Sequence, residues 1–201
     1  PTTNYILLTF LMDLVFFGIQ GSGKGTQAKK LAAEFDYDIF EAGGELRKIK
    51  ASGSELGEIV KSYIDVGKLV PFEIIMQVVK EAIAERPADQ KILFDGIPRD
   101  EDQMNAFNEI MQEAGREFLC VEIKLDADEA VQRILGRAEE EGRADDADEE
   151  IIRRRMGTFL EKTVPVIEAY RENEKMIDVD GEGTIEEIYE RLKGALELNA
   201  E

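Results

Sequence analysis

The stretch Leu14-Val-Phe-Phe-Gly18-Ile-Gln-Gly21-Ser-Gly23-Lys24-Gly25-Thr26-Gln27 constrains this chain more than any other. An apolar run ends in a glycine-rich turn, and a Lys, a Thr and a helical pattern follow. This is the strand–loop–helix layout of a phosphate-binding P-loop. The glycines let the backbone curl so that successive N–H groups point inward, and the following helix adds the positive end of its dipole. Lys24 supplies a mobile point charge for the outer phosphates. Gly18-x4-Gly23-Lys24 alone says nucleotide phosphate and no more. The position after Lys24, commonly Ser or Thr in such loops, is Gly25, with Thr26 one step later. That Gly-Lys-Gly-Thr variant narrows the field. A glycine turn without a ligand is the bland reading, and the flanking strand and helix argue against it.

Length and composition set the remaining bounds. The 201 residues suffice for one well-buried domain with small insertions. With 44 acidic against 25 basic residues the net charge is −19. A diffuse nucleic-acid surface needs a basic face, so no nucleic-acid partner is expected. The acidity either aids solubility or reflects a salty habitat. There is no His, which excludes imidazole acid–base chemistry, Ser-His triads and His-metal sites. The single Cys120 lies in the apolar run Phe118-Leu-Cys-Val121 and is expected to be buried and inert. The apolar N-terminal run Tyr5–Phe17 is interrupted by Asp13 and is too short to span a bilayer. No Lys or Arg precedes it, as a signal peptide would require. Met12 reads as a natural start and residues 1–11 as an extension, either loose or lengthening the first strand. A cytoplasmic monomer without a membrane partner is the expectation.

The fold class follows from the order of elements. After the P-loop comes a helix to Phe35 with Ala28, Leu31, Ala32 and Phe35 inward, then a strand at Tyr37–Phe40. Two short helices between glycine turns, the second opened by a capping Ser54, read as a flap. Pro71 begins a longer helix to about Arg86. Strands are expected at Lys91–Phe94, Phe118–Leu125 and Lys175–Asp180, with a helix to Ala114 between the first two. Asp128–Leu135 is helical, and the polar stretch from Arg137 to Arg143 breaks the pattern. Asp148–Asn173 reads as one long helix that Pro165 must kink, and Thr184–Leu198 closes the chain. The sum is an α/β fold: a five-stranded parallel sheet of P-loop type with helices on both faces. The division is extension 1–11, core 12–40, flap 41–70, core 71–136, lid 137–146 and core 147–201.

Two further features carry chemistry. Asp95 ends the apolar run Ile92-Leu-Phe94, at the carboxyl end of a strand, where α/β sheets place ligands. In a P-loop protein such a carboxylate holds Mg²⁺, directly or through water. Arginines stand where elements end: Arg47, Arg99, Arg133, Arg137, Arg143 and the run Arg153–Arg155. Guanidinium groups suit two nucleotides exchanging a phosphoryl group, because they stay charged and bind phosphate through two N–H groups. Such transfer is catalysed mainly by positioning and charge, so the absence of His is no obstacle.

These motifs together resemble the adenylate kinase family of nucleoside monophosphate kinases. The series is Gly-Ser-Gly-Lys-Gly-Thr-Gln, Leu46-Arg47, Gly67-Lys68-Leu69-Val70, Asp95-Gly96-Ile97-Pro98-Arg99 with Gln103, Arg133-x3-Arg137, Gly142-Arg143-Ala-Asp145-Asp146 and Arg153–Arg155. It spans about residues 12 to 198, in order. The short Arg137–Arg143 segment resembles the short-lid class, which lacks the larger lid and its zinc site. The resemblance implies reversible, Mg²⁺-dependent transfer from ATP to AMP, giving two ADP. It implies that Gly21, Ser22, Gly23, Lys24, Gly25 and Thr26 grip the ATP phosphates. Arg133 would stack on the ATP adenine, with the Gly181–Gly183 turn at its other edge. Arg47 and Arg99 would hold the monophosphate, Gln103 read its base, and Ala42, Val70 and Gly96 line its site. Arg137, Arg143 and Arg155 would close on the phosphoryl in flight, with Asp145 and Asp146 orienting them. Spacing from Pro165 favours Arg155 over Arg154, and an insertion near Ala147 keeps both open.

Two positions depart from the family. Its usual flap Thr and Asp are Ala42 and Gly44 here. Ala at the first position resembles the UMP/CMP kinases, which usually carry Asn where Gln103 stands. The Gln103 amide can pair with adenine's edge in both directions, which favours AMP and leaves UMP or CMP as the alternative. Gly44 would slacken either the flap or the magnesium water shell. A non-catalytic nucleotide-binding protein on the same fold would be expected to lose the lid arginines, and all are present. An ATPase is a third option.

Overall fold

The computed structural model describes residues 12–141 and 149–198. Five strands form one parallel sheet: β1 (Asp13–Phe17), β2 (Asp38–Glu41), β3 (Ile92–Asp95), β4 (Phe118–Lys124) and β5 (Met176–Asp180), in the order β2-β3-β1-β4-β5. β1 is central, with Val15 level with Phe94 on one side and Cys120 on the other. The chain crosses from one half of the sheet to the other beside β1, so ligands are expected beyond its carboxyl end. Residue 18, the first P-loop glycine, stands there.

Every residue of β1 is buried, as a strand covered on both faces requires. Alternation sorts the side chains. Val15 and Phe17 join Phe40, Phe94, Phe107, Phe118 and Tyr170 on one face, under α4 (Phe72–Ala84), α5 (Glu101–Glu113) and α8 (Val164–Glu172). Leu14 and Phe16 join Leu31, Val121, Ile123 and Leu192 on the other, under α1 (Lys24–Phe35) and α9 (Ile185–Ala195). Cys120 is fully buried, and burial pushes its thiol pKa well up. Asp13 is buried at the amino end of the sheet, where its Oδ2 accepts from Arg116 Nε at 2.6 Å and its Oδ1 from the Ile92 N–H at 2.7 Å. This pair ties the bottom of the sheet together, at the end away from the P-loop.

The helical pair α2 (Ala42–Ala51) and α3 (Glu55–Ile64) leaves the top of β2, and the Ser54 Oγ caps α3 by accepting from the Gly57 N–H at 3.0 Å. Two elements differ from the sequence reading. Helix α6 runs Ala127–Glu141, past the break expected after Leu135. What ends at Leu135 is the apolar periodicity; the following Arg, Ala and Glu residues favour helix on their own. The long helix before β5 is three pieces: α7 (Glu149–Thr158), a π turn (Phe159–Thr163) and α8 with Pro165 in its first turn. Pro165 lacks the N–H that would continue the ladder, and the wide turn before it absorbs the mismatch, as the expected kink required. No helix among the described residues is long and apolar enough to cross a membrane.

Candidate functional site

The carboxyl ends of β1, β2 and β3 open into one cleft. Lys24, Ala42, Arg47, Val70, Gly96, Arg99, Gln103 and Arg155 all line it. These eight come from α1, α2, the segment after α3, the turn after β3, α5 and α7, and each was expected on sequence grounds.

Arg99 is firmly anchored. Its turn runs from Asp95 to Arg99 with a cis Ile97–Pro98 bond. Its Nε donates to the Gly96 carbonyl at 2.7 Å. Its backbone N–H donates to Gln103 Oε1 at 2.9 Å, and its carbonyl accepts from the Thr163 hydroxyl at 2.9 Å. Gln103 and Thr163 are both buried. Gly96 holds φ +82, and a Cβ there would stand 2.7 Å from an Arg99 nitrogen, so the guanidinium lies against bare backbone. Protein atoms crowding the side chain lower its pKa; Asp95 raises it, Arg155 and Arg47 lower it, and Glu41 raises it. The group still opens on the cleft, and arginine stays protonated in such a setting.

Arg47 donates to Glu41 Oε1 at 2.7 Å. The neighbours of Arg155 settle which arginine of the run faces the cleft. Arg153 pairs with Glu149, and Arg154 donates to the Val66 carbonyl at 2.7 Å and to Glu150 at 2.8 Å. Arg155 lines the cleft and packs its stem on Gly67. The helical step of 100° between consecutive residues makes this division of labour unavoidable.

The P-loop is shaped by close approach. Gly21 has φ +90, and a Cβ there would lie 2.6 Å from the Ala130 carbonyl oxygen of α6. Gly23, with φ 86, precedes the first turn of α1, where the Thr26 N–H donates back to its carbonyl at 3.0 Å. Ser22 is fully buried and Thr26 is exposed; with Gly21, Gly23 and Gly25 they stand beside Lys24 rather than among the cleft's lining. Asp95 is buried beneath, its Oδ2 3.4 Å from where a Gly25 Cβ would be, an ordinary contact that places the carboxylate against the loop just after Lys24. Its Oδ1 is buried without a hydrogen-bond partner. A buried carboxylate with an orphaned oxygen, beside a phosphate loop, fits a hydrated Mg²⁺ that takes its other ligands from phosphate.

Arg133 Nη1 donates to the Gly181 carbonyl at 3.1 Å, so the two groups expected at opposite edges of the ATP adenine are neighbours. Gly183 holds φ +103 at that turn, and Thr184 begins α9 with a full capping box to Glu187. The Arg137 side chain, Arg143, Asp145 and Asp146 lie outside the described residues.

Two contributors, Thr163 and Glu41, escaped the sequence reading, as did the bond made by Gln27 of the loop motif. Thr163 holds the Arg99 carbonyl, and its place two residues before Pro165 was the only signal. Gln27 is buried and donates to the Ile185 carbonyl at 3.0 Å, tying α1 to the start of α9. Glu41 sits against Arg47 at the mouth of β2, where an acidic strand end gave no warning of its partner.

Known proteins bear on this geometry. The family model described as adenylate kinase matches residues 16–175. A Thermus thermophilus protein named adenylate kinase is 40% identical over 184 residues, 91% of this chain and 96% of its own length. Proteins of the same name from Maricaulis maris and Clavibacter michiganensis are 37% and 38% identical, over 92% and 91% of this chain and 99% and 92% of their own.

Proposed function

The chain belongs to the adenylate kinase family, and from that premise we propose that its cleft transfers the γ-phosphoryl group of ATP to AMP, giving two ADP. The observation that carries this reading is the convergence of Lys24, Arg47, Arg99 and Arg155, with Gln103, on one cleft at the carboxyl ends of the strands. In a chain of net charge −19, five cations gathered in one hollow, Lys68 being the fifth, answer to an anionic ligand.

The P-loop backbone from Gly21 to Gly25, with Lys24 and Thr26, grips the ATP phosphates; Arg133 and the Gly181–Gly183 turn flank its adenine. Residues 41–70 form the flap over the acceptor and residues 137–146 the short lid. Arg47 and Arg99 hold the acceptor phosphate, Gln103 reads its base, and Ala42, Val70 and Gly96 complete the wall. Arg155, with Arg137 and Arg143 of the lid, neutralises charge on the phosphoryl in flight. Fixed guanidinium groups do this without reorganising at the moment of transfer. Asp95 would hold Mg²⁺ through water, and the ion would supply further charge neutralisation on the phosphates. Closure of flap and lid excludes water, which would otherwise divert the phosphoryl group.

Gln103 supports AMP over UMP or CMP. Its Oε1 already accepts from the Arg99 N–H and its Nε2 donates to Asp100 Oδ2 at 3.4 Å, which fixes the amide's orientation and leaves one lone pair and one N–H for a base. Ala42 in the flap is the feature that keeps pyrimidine monophosphates as the second reading. A coupled assay with AMP, UMP, CMP and GMP as acceptors separates the two. AMP is expected to be turned over fastest, and ATP loss without an acceptor is expected to be negligible. A fastest rate with UMP or CMP would transfer the assignment to that class.

A further inference from the structure

We propose that Glu41 is a built-in counterion of the acceptor subsite, whose carboxylate takes the Arg47 N–H that an incoming monophosphate needs. Acceptor binding is then an exchange of carboxylate for phosphate on one guanidinium. This rests on the reading that Arg47 and Arg99 hold the acceptor phosphate.

Four observations carry it. Glu41 ends β2 and is the register partner of Asp95 at the end of β3, so its side chain starts from the edge of the sheet where ligands bind. Its Oε1 accepts from Arg47 Nη2 at 2.7 Å, with both side chains about half exposed and therefore free to separate. Its charge also reaches Arg99, the second phosphate-holding group. Finally, Gly44 stands directly beside Glu41: a Cβ at 44 would be in ordinary contact with it, 3.4 Å from Oε2 and 3.5 Å from Cδ. A carboxylate at 44 would face that of Glu41 with like charge. The departure at Gly44 and the acid at Glu41 are thus two halves of one arrangement. The carboxylate stands at residue 41, where it meets Arg47, and the flap backbone beside it stays bare.

The consequence is electrostatic. A phosphate monoester carries about −1.5 to −2 charges at neutral pH. It must displace Glu41 from Arg47 or bind beside a like charge. An exposed ion pair shifts such an equilibrium by up to about fivefold, and repulsion adds to it. Glu41 therefore weakens acceptor binding without touching the ATP phosphates or the transferred group.

The test is calorimetric titration of AMP, with KM and kcat in parallel, for the wild type, Glu41→Gln, Glu41→Ser, Glu41→Asp and Arg47→Ala, each checked by thermal melting. Glu41→Gln is expected to tighten AMP binding about three- to tenfold and to lower KM for AMP by the same factor. KM for ATP is expected to move less than twofold, and kcat less than KM for AMP. Glu41→Ser should follow Glu41→Gln, and Glu41→Asp should stay near wild type. The gain should shrink at high salt, where exposed charges are screened. Unchanged or weaker AMP binding in folded Glu41→Gln and Glu41→Ser overturns the proposal; weaker binding would mean that Glu41 orients Arg47 instead. If Arg47→Ala leaves AMP affinity unchanged, the acceptor-site reading itself fails, and the proposal fails with it.

Discussion

The P-loop beside the cleft, the proposed donor half of the site, and the cleft wall around Arg99, its proposed acceptor half, are made of different material. The donor half is backbone: its shape depends on Gly21 pressed against the Ala130 carbonyl, and on Gly18, where a Cβ would stand 2.8 Å from the Ile123 carbonyl. The acceptor half is side chains set on finished elements. Arg99 is tied through Gly96, Gln103 and Thr163, whereas Arg47 rests on the half-exposed carboxylate of Glu41. A site made of backbone is part of the fold, and damage to it reaches stability. A site made of side chains on finished elements can lose its chemistry while the fold stands.

The largest effect should come from the acceptor half. Arg99→Ala is expected to lower kcat by about 10² or more, the usual loss for a fixed transition-state donor. Its side chain lies open to the cleft, so the melting temperature should barely move. A variant within threefold of wild-type turnover would contradict the role, and a large drop in melting temperature would break the contrast between the halves. Arg155→Ala should approach the same loss. Arg154→Ala, one residue away, removes only bonds to Val66 and Glu150 and should keep kcat within about threefold. Equal losses in the two would mean that α7 acts as a unit and not through the one guanidinium that lines the cleft.

Gly21→Ala probes the donor half. It forces φ near +90 on a residue with a Cβ and drives that atom to 2.6 Å from a carbonyl oxygen. Left-handed backbone costs about 1–2 kcal/mol before the collision is counted. A loss of roughly 2 kcal/mol lowers the melting temperature of a chain this size by about 4–8 °C. KM for ATP should rise on the order of tenfold, while AMP affinity stays within twofold. Parallel loss of both affinities would show that the halves are not separable.

The same contrast explains what could be read from the chain. The donor half was legible because glycine spacing, a Lys and a strand-to-helix switch are local, and backbone geometry leaves local marks. The parallel sheet was legible for the same reason, from apolar runs alternating with helical periods. Arg47, Arg99 and Arg155 could be nominated from element ends and from the family resemblance, yet what anchors them could not. Thr163 reaches Arg99 across 64 positions, a pairing that only the folded path of the π turn creates. The choice between Arg154 and Arg155 turned on one helical step, and spacing around an insertion could not decide it. The continuation of α6 to Glu141 was missed because periodicity reports burial, and a helix can outrun the core it packs on.

Gln103 makes the finest test, because it anchors Arg99 and is proposed to read the acceptor base. It anchors Arg99 through its oxygen and faces the cleft, where the base is expected. Gln103→Asn keeps the amide and shortens its reach by one methylene, so the bond to the Arg99 N–H and the contact to the base both weaken. A single hydrogen bond of this kind is worth about 0.5–1.5 kcal/mol, which is roughly two- to twelvefold. If base reading dominates, KM for AMP should rise within that range, kcat should hold within about threefold, and the preference for AMP over CMP should narrow. If anchoring dominates, kcat should fall for every acceptor alike and KM should change little, a milder copy of Arg99→Ala. Asp100 helps to separate the two, since its Oδ1 accepts from the Gln103 backbone N–H at 2.9 Å and caps α5. Asp100→Ala loosens that helix start without shortening the amide. It also frees Gln103 Nε2 from Asp100 Oδ2 at 3.4 Å, so kcat should fall for every acceptor alike while the ranking of the acceptor bases shifts less than in Gln103→Asn.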